Sequence, residues 1–579
     1  MQRKAKIVCT IGNVMKKVEE DLRRVLSETI TDGNELGRTV KKRAEERFEN
    51  ELRKTICAFI ESGMNVARIN MAHYDCEKKE DKRYLERLIQ TIRHLSGDIA
   101  IMGDIQGPKV RINDFLGVCE GKGEVEVRSR DTFVLTTKTE LPNVMGASIK
   151  KPEFLDFIGD VRQNRKDPSL PIEFWFADGE VILEADEDDI RDHDTEIYCR
   201  VKVPGTMRRN KGISVKNSRI RPGKYELRKY PKDEKDIRFL LEQGIDLIAM
   251  SLVNTRDDVE SLQSFIRSSI EGVGRAKEIA ERFYVGMRDF PIISKIETEE
   301  GFLNIDEILN ASYGIMVARG DLALQTRIQD IPILQKRIIE KCVLKGKPVI
   351  TATQMLSWMV NFIEPKRAEA TDVANAIFDG TDALMLSEET ADPKSKFPTE
   401  SIRMMAEIAL AAEEEMRKRN TLEYRYKIDQ LHEKIMRRLG RDESALETGL
   451  RREDTEGRVS HTVSYSACEK AFELDCKAII VLTETGRTAR MLSTFKPDAT
   501  IVAGVYSDSV GRLLHLSYGV IPITVARNDR GYPFEEFKDV TDKAKERKLV
   551  QTGDRVLTVG RYPRRESGTV TFVNVSTVE

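Results

Sequence analysis

Cysteine is scarce in this sequence and is never paired at short spacing. The eight cysteines are spread over 579 residues without a C-x-x-C pair, which is typical of reduced intracellular thiols and not of a disulfide framework or a zinc site. Long hydrophobic runs are missing too, since no segment reaches the ~18 apolar residues of a membrane-spanning helix. The first residues, MQRKAKIVCTIGN, lack the apolar core of a signal peptide. We therefore expect a cytoplasmic globular protein with no membrane partner.

An excess of charge of either sign is also missing. Lys and Arg total 95 and Asp and Glu total 97, which gives a net charge of −2. Without a basic excess there is no global electrostatic basis for binding nucleic acid. Hydrophobic residues make up 40% of the chain, enough for several cores, and at ~150 residues per domain the length predicts three or four domains.

Eight short apolar segments recur up to about residue 410, each followed by a helical stretch. Continuous hydrophobic strands are what a parallel sheet buried on both faces requires. Eight of them interleaved with helices predict an α/β fold, specifically a (β/α)₈ TIM barrel. The segments are KIVCTI (6–11), NVARIN (65–70), IAIMGD (99–104), DLIAMSL (246–252), PIISKIE (291–297), GIMVARG (314–320), KPVITAT (347–353) and DALMLS (382–387).

Two departures from this spacing predict further units. About 140 residues with alternating polarity separate the third and fourth strands, which indicates a β-domain that covers the barrel top as a lid. Beyond a charge-rich stretch at 413–457, a second strand–helix pattern predicts a C-terminal α/β domain with a parallel sheet. The predicted domains are a barrel at 1–108 and 222–411 with a charged helical insertion at 13–53 on its rim, a lid at 109–221, and a linker with the C-terminal domain at 412–579.

The segment PIISKIETEEG is the most informative for chemistry. Lys295 and Glu297 are two residues apart, so on a strand both side chains leave the same face, and the next strand ends MVARGD with Asp321. Two carboxylates beside a lysine suit Mg²⁺, and a divalent ion with a lysine is what a phosphoryl group needs. The alternatives are an ordinary ion pair at the strand end and, for Asp321, a helix cap.

The motifs of the chain closely resemble those of the pyruvate kinase family. They occur in family order and cover nearly the whole chain, except the insertion after Asn13, a stretch around 270–290 and part of the interdomain linker. The resemblance implies transfer of the phosphoryl group of phosphoenolpyruvate to ADP, giving pyruvate and ATP, the last step of glycolysis. The motifs are KIVCTIG, GMNVARIN, GPKVR, ISKIETEEG, GIMVARGDL, TATQML, AEATDVANAIFDGTDALMLSEETA and VLTETGRTAR.

The resemblance also implies roles for single residues. Lys295 would neutralise charge on the phosphoryl group and the enolate oxygen, and Arg68 would reach the phosphate as a fork of donors. Glu297 and Asp321 would hold Mg²⁺ or Mn²⁺. Thr353 would order the water that protonates the enol carbon, since a threonine hydroxyl alone is too weak an acid. Substrate contacts would come from Arg68, Lys295, Gly320, Asp321 and Thr353, and nucleotide contacts from Asn70, His73, Arg111 and Lys211.

Three of these positions have a purely structural alternative. Arg68 would then belong to a structural ion pair, His73 would be a satisfied histidine on the rim, and Lys211 would be lid surface.

The monovalent-cation region departs from the pattern of many family members. Of the Asn, Ser, Asp and Thr that hold K⁺ in those members, Asn70 and Asp104 are kept, but Ala72 and Ile105 replace the other two. Lys109 stands where K⁺-dependent members carry Glu. Because a tethered ammonium supplies the charge of a bound K⁺, we expect Lys109 to replace K⁺ and K⁺ not to be required. The alternative is an exposed lysine at the lid hinge.

Four other substitutions have less clear consequences. Asn13 replaces a usual Pro near the adenine side, which leaves the choice between ADP and GDP open. Gln106 replaces a Lys, Asn254 an Arg and Glu388 a Gly. Glu388 would either slow the enzyme or point outward.

The segment TETGRT follows a strand and opens a helix in the C-terminal domain. It resembles the sugar-phosphate effector loop of regulated family members, as does VGRYPRRESG at 559–568. Amides and hydroxyls at a helix N-terminus bind anions, although small hydroxyl residues there are also ordinary caps. The predicted phosphate loop comprises Thr483, Thr485, Gly486, Arg487 and Thr488.

Two alternatives to an active kinase are considered. One is a non-catalytic relative that binds phosphoenolpyruvate or nucleotide as a regulator, which Ala72, Ile105, Asn254 and Glu388 would favour. The other is a barrel enzyme that passes phosphoenolpyruvate to a different acceptor. The resemblance also implies a homotetramer, and the alternative is that the insertions block an interface in it.

Overall fold

The computed structural model describes residues 2–12, 35–141, 143–149, 169–176, 179–191, 195–209, 212–216, 227, 230–272, 289–418, 429–437, 451–528, 533–561 and 571–579.

Within its described ranges, the first part of the chain contributes three barrel strands with two α-helices between them. Each strand is buried along almost its whole length because helices cover one face and side chains of the barrel interior cover the other. The elements are β1 (Lys6–Ile11), α1 (Glu35–Ser62), β2 (Val66–Asn70), α2 (Lys79–Leu95) and β3 (Ala100–Ile105).

Helix α1 overlaps the predicted rim insertion at 13–53. Residues 13–34 lie outside the described part of the chain, but 35–53 form the first two thirds of α1. Phe48, Leu52, Ile56 and Phe59 repeat at helical spacing and are buried in the barrel core. Much of this segment is therefore part of the barrel's own first helix.

Among the described residues, ten strands follow between β3 and the fourth barrel strand, where the alternating pattern predicts a β-domain. Seven form one sheet in the order β13-β8-β9-β11-β6-β7-β4, β12 pairs with β5, and β10 pairs with β11. Their inward residues form a separate core. The strands are β4 (Asp114–Gly117), β5 (Glu124–Val127), β6 (Thr132–Thr136), β7 (Met145–Ser148), β8 (Ile172–Phe176), β9 (Val181–Ala185), β10 (Ile190–Arg191), β11 (Glu196–Val203), β12 (Gly205–Arg208) and β13 (Ile213–Lys216).

Five more parallel strands complete a closed barrel, and the prediction of eight barrel strands is confirmed. The strands and helices are α3 (Pro231–Glu242), β14 (Leu247–Met250), α4 (Arg256–Gly272), β15 (Ile292–Ile296), α5 (Glu299–Leu303), α6 (Ile305–Ala311), β16 (Gly314–Ala318), α7 (Arg319–Gln325), α8 (Ile331–Lys345), β17 (Val349–Ala352), α9 (Arg367–Phe378), β18 (Ala383–Leu386), α10 (Glu388–Ala391) and α11 (Pro398–Lys418). Around the barrel the order is β1-β18-β17-β16-β15-β14-β3-β2. Parallel strands bring all eight carboxyl ends to one face, where barrel enzymes have their active sites.

The C-terminal α/β domain is built on a five-stranded sheet in the order β21-β20-β19-β22-β23. Four strands are parallel as predicted, but the edge strand β23 runs antiparallel to β22 and was not predicted. The elements are α12 (Arg451–Glu473), β19 (Ala478–Thr483), α13 (Arg487–Thr494), β20 (Thr500–Val505), α14 (Asp508–Leu514), β21 (Val520–Thr524), α15 (Pro533–Glu546), β22 (Arg555–Gly560) and β23 (Phe572–Thr577).

None of the helices in the described ranges is long and apolar enough to cross a membrane. The structure does not fix domain boundaries, so the limits at 108, 221 and 411 stay predictions.

Candidate active site

A buried network of three charged side chains lies at the carboxyl ends of β2, β3 and β15. Nε and Nη2 of Arg68 each lie 2.7 Å from Oδ2 of Asp104, and Nζ of Lys295 lies 3.2 Å from Oδ1 of the same carboxylate. Arg68 also donates to Oγ1 of Thr10 at 2.7 Å, and Lys295 donates to Oγ of Ser251 at 2.8 Å. Buried charges require such pairing, so the network fixes two cations at the barrel mouth.

The members of this network change one another's pKa. Burial alone would raise the pKa of Asp104, but the charges of Arg68 and Lys295 outweigh it and lower that pKa. Burial would lower the pKa of Lys295, yet Asp104 and Glu297 outweigh it and raise that pKa. Asp104 therefore stays anionic and Lys295 cationic near neutral pH, which leaves Lys295 charged for an anionic ligand.

Glu297 and Asp321 extend this network toward the next strand. Lys295 Nζ lies 3.0 Å from Oε1 of Glu297, as their two-residue spacing predicts, and Glu297 Oε2 accepts the backbone N–H of Leu252 at 2.8 Å. The N-cap of α7 is Ala318, and Asp321 lies in the first turn, where its Oδ1 accepts from Nζ of Lys109 at 2.5 Å. Two lysines thus neutralise two carboxylates on neighbouring strand ends.

The two carboxylates fit a divalent cation. Burial raises the pKa of Glu297, Lys295 opposes this, and the negative charge of Asp321 raises it further. Burial would raise the pKa of Asp321 as well, but Lys109 outweighs it and lowers that pKa. Among the described residues no group of three or more His, Cys, Asp and Glu side chains could hold a metal ion. An ion held by these two carboxylates would complete its shell with water and substrate oxygens, which suits Mg²⁺.

Thr353 lies directly after β17, in a backbone conformation that a β-branched residue rarely adopts. Its φ is 70°, and that of Gln354 is 51°. Its Oγ1 accepts the backbone N–H of Gly320 at 2.8 Å and donates to the carbonyl of Ala352 at 2.6 Å. The hydroxyl and the Gly320–Asp321 backbone therefore stand side by side at the barrel mouth.

The residues predicted to contact nucleotide lie near β2 and the start of the lid. Asn70 ends β2, and its Oδ1 accepts the backbone N–H of Ala72 at 3.2 Å, which caps a 3₁₀ turn at Met71–His73. His73 is the last residue of this turn and is exposed. The backbone of Arg111 forms an isolated antiparallel β-bridge with Gly212 of the lid. The charge of the Arg111 side chain contributes to lowering the pKa of Asp321. Lys211 lies outside the described residues.

The structure accounts for two of the unexplained substitutions. Asn254 is buried, and its Oδ1 accepts from Oγ1 of Thr298, so it joins the end of β14 to the start of α5. Glu388 is exposed at the start of α10 and points outward. Gln106 donates its backbone N–H to Asp233, and Asn13 lies outside the described ranges.

In the monovalent-cation region, Asp104 and Lys109 contact different side chains. Asp104 contacts Arg68 and Lys295, whereas the contact of Lys109 is with Asp321. Ala72 and Ile105 supply no side-chain oxygen. The lysine is therefore anchored on a candidate metal ligand.

The predicted phosphate loop spans the end of β19 and the start of α13. Gly486 occupies the position before the helix with a φ of 76°, and no side chain caps the helix start. A glycine tolerates this left-handed conformation. The capping alternative requires a small hydroxyl residue at this position, and the residue here is glycine. The carbonyl of Thr485 accepts from Nη1 of Arg490 at 3.1 Å. Of the second predicted segment, 562–570 lie outside the described part.

Sequence patterns missed several residues that build this site. Ser251 and Thr10 are bonded to Lys295 and Arg68, and Arg319 holds the Thr353 loop. Lys232 donates to the carbonyl of Met71 at 2.8 Å, next to the predicted nucleotide residues. Only the position of Arg319 inside MVARGD gave a signal, because serine, threonine and lysine are common everywhere.

A closed barrel with paired carboxylates and lysines at its strand ends defines a class of enzyme that handles phosphoryl groups. The family profile described as "Pyruvate kinase, barrel domain" matches residues 2–402, and "Pyruvate kinase, alpha/beta domain" matches 461–576. The pyruvate kinase of Clostridium perfringens is 34% identical over 523 residues, which cover 90% of this chain and 95% of that protein. The pyruvate kinase of Geobacillus stearothermophilus is 31% identical over 580 residues, which cover 100% of this chain and 81% of that protein.

A solved structure agrees with these matches. A crystal structure of a pyruvate kinase from Cryptosporidium parvum superposes with a TM-score of 0.73 at 27% sequence identity, covering 100% of this chain and 96% of that one. The chain belongs to the pyruvate kinase family. It is a phosphotransferase whose substrates are phosphoenolpyruvate and ADP and whose product is pyruvate. The family generally uses a divalent metal, and neither the regulator nor the other barrel enzyme gains support from these matches.

Proposed function

We propose that this pyruvate kinase depends on Mg²⁺, held by Glu297 and Asp321, and works without K⁺. The observation that carries the proposal is the convergence of two carboxylates and two lysines on the strand ends of β15 and β16. Mg²⁺, or Mn²⁺ in its place, supplies positive charge to the phosphoryl oxygens.

Lys295 and Arg68 bind the transferring group. The bond from phosphorus to the enol oxygen breaks while a bond forms to the terminal phosphate of ADP, so negative charge collects on the phosphoryl and enolate oxygens. Lys295 is held charged beside that position, and the guanidinium of Arg68 is fixed by Asp104 and Thr10. Donors fixed beforehand lose no energy in reorganising during reaction.

Thr353 serves the second half of the reaction. The enolate left by phosphoryl transfer takes a proton at its terminal carbon and becomes the ketone of pyruvate. The Thr353 hydroxyl, held between Gly320 N–H and the carbonyl of Ala352, orders the water that donates this proton. The Gly320 backbone and Asp321 complete the substrate contacts.

ADP lies on the side of Asn70, His73 and Arg111. Lys211 remains a proposed contact from the lid, and Lys232, a cation beside the Met71–His73 turn, is a further candidate for a nucleotide phosphate. A phosphate between such cations gains charge-assisted hydrogen bonds.

Lys109 replaces K⁺. Its ammonium adds a fixed positive charge next to Asp321, and Ala72 and Ile105 leave the monovalent-cation region without two of the oxygen ligands that K⁺ would need. A lysine ammonium is a compact point charge on a flexible stem, so it substitutes for a monovalent ion.

A phosphorylated effector binds at the loop of Thr483, Thr485, Gly486, Arg487 and Thr488. The uncapped start of α13 supports the effector site. A panel of sugar phosphates and AMP is expected to include one that shifts the affinity for phosphoenolpyruvate, and no shift from any of them would refute the site.

The enzyme is a cytoplasmic homotetramer. Light scattering should give about four times the chain mass of 66.0 kDa; one or two chain masses would refute the tetramer.

The metal site is tested by exchanging Asp321→Asn. The variant loses one charged oxygen ligand, so we expect its activation to require at least ~10-fold more Mg²⁺. Asp330→Asn, which loses a carboxylate from an exposed ion pair with Arg327, should titrate like the parent. An unchanged Mg²⁺ requirement in Asp321→Asn would overturn the assignment.

A further inference from the structure

Arg319 has an unusual set of hydrogen-bond partners. It directly precedes Gly320 and Asp321 at the start of α7, and its guanidinium is largely buried. Nη2 donates to the carbonyl of Thr353 at 2.7 Å and to that of Gln354 at 3.2 Å, and Nε donates to that of Ala352 at 3.3 Å. One side chain thus binds three successive carbonyls, that of the last residue of β17 and those of the two residues after it.

The other side of the guanidinium is anchored on two helices. Nη1 donates to both carboxylate oxygens of Asp372 on α9, at 2.8 and 2.7 Å, and to Oε1 of the buried Gln335 on α8 at 3.3 Å. A planar fork bound to a carboxylate on one edge and to carbonyls on the other has little freedom to rotate.

The loop that Arg319 holds is strained. Thr353 and Gln354 both have positive φ, and non-glycine residues keep that conformation only where their surroundings over-determine it. The backbone N–H of the next residue, Gly320, also donates to Oγ1 of Thr353. The side chain of Arg319 therefore holds the loop, and the backbone N–H of Gly320 holds the hydroxyl of Thr353.

We propose that Arg319, anchored by Asp372, is a positioning residue that sets the Thr353 hydroxyl against the Gly320–Asp321 backbone for protonation of the enolate. The inference rests on the proposed function, in which Thr353 orders the proton-donating water. Because Arg319 touches no reacting atom in this arrangement, it acts through Thr353. Its loss should slow the proton step far more than it weakens phosphoenolpyruvate binding.

The test follows the proton step alone. Enzyme with Mg²⁺ and pyruvate in D₂O exchanges the methyl protons of pyruvate when the ketone returns to the enolate, and NMR records the rate. Arg319→Lys keeps the charge but cannot span three carbonyls and Asp372, so exchange should fall ~10- to 100-fold. Asp372→Asn keeps the shape and should lower exchange less. Affinity for phosphoenolpyruvate should change by less than ~3-fold in both.

A double-mutant cycle with Thr353→Ala separates positioning from general stability. Since interacting residues are non-additive, Arg319→Lys should add nothing to the loss of exchange in Thr353→Ala. Arg327→Lys, in an exposed ion pair of the same barrel, is the matched control and should exchange like the parent.

Each other outcome has a definite meaning. If Thr353→Ala exchanges normally, the proposed role of Thr353 fails and the inference falls with it. If Thr353→Ala is slow but Arg319→Lys and Asp372→Asn exchange normally, the inference alone is overturned. It is also overturned if their losses add to that of Thr353→Ala, or if exchange, binding and melting temperature fall together. Should Arg319→Lys not fold, Asp372→Asn decides.

Discussion

At the scale of the residue, Lys295 lies between two carboxylates, 3.0 Å from Glu297 and 3.2 Å from Asp104. Replacing Lys295→Met removes the charge but keeps an unbranched chain. Because the ammonium opposes charge that develops in the transition state, kcat should fall at least ~10²–10³-fold. The measurement is steady-state pyruvate formation at saturating substrate.

Lys341→Met is the control for this change. Lys341 forms an ion pair with Asp306 on the outer helices, so its loss should leave kcat unchanged. Lys295→Met with more than a third of the parent kcat would contradict the role given to this lysine.

The residues of the site were predictable to different degrees. Lys295 and Glu297 are neighbours on a strand, so period-two geometry brings them together. Asp104 lies 191 positions before Lys295, and no local pattern reports that their strands, separated by β14, place both side chains at one point. Arg319 and Ser251 were missed because their roles depend on where loops from other strands end.

At the scale of the element, helix α1 contains apolar residues within a charged sequence. Phe48 is 2% exposed, although the segment around it was predicted as a rim insertion. Phe48→Ala should cost about 3–5 kcal/mol through lost burial and a cavity, measured as a lower midpoint of unfolding. Phe378→Ala, at a position 44% exposed on α9, should cost less than ~1 kcal/mol. Equal effects of the two changes would mean that this part of α1 does not pack on the barrel.

The strands were more predictable than the helices and edges. All eight barrel strands are short apolar runs bounded by polar residues. Because burial on both faces of the sheet requires such runs, they can be recognised in the sequence. The edge strand β23, FVNVST, is largely exposed and lacks that signature. In α1 the apolar positions recur only every third or fourth residue, and charged residues between them hide the buried face.

At the scale of the whole molecule, buried ion pairs join the C-terminal domain to the amino-terminal end of the barrel. Lys496 lies 2.5 Å from Asp382, just before β18, and Arg512 lies 2.7 Å from Asp246, just before β14. Lys6 of β1 donates to the carbonyl of Val520 at 2.6 Å. The two domains thus share polar contacts on the face opposite the active site.

Breaking one of these pairs should destabilise the molecule. Lys496→Met leaves the carboxylate of Asp382 buried without its cation, and removing one partner of a buried pair costs ~3–5 kcal/mol. Lys543→Met removes one side of the Asp539 pair on α15, where both side chains are more than a third exposed, and should cost ~1 kcal/mol or less. Thermal unfolding compares the two; a Lys496→Met variant as stable as the control would show that the contact contributes little.

The most direct test of a Mg²⁺-dependent, K⁺-independent pyruvate kinase is pyruvate formation from phosphoenolpyruvate and ADP. The assay contains Mg²⁺ and neither K⁺ nor Na⁺, and is repeated with KCl. Lys109→Glu places an anion where the ammonium was, and Lys122→Glu, at an exposed lid position, is the matched control. We predict rapid turnover that KCl does not change in the parent and in Lys122→Glu, and much slower turnover in both buffers in Lys109→Glu, which loses the cation beside Asp321. Turnover of the parent only after KCl would contradict the role of Lys109, and folded protein that binds phosphoenolpyruvate without forming pyruvate in either buffer would contradict the enzyme itself.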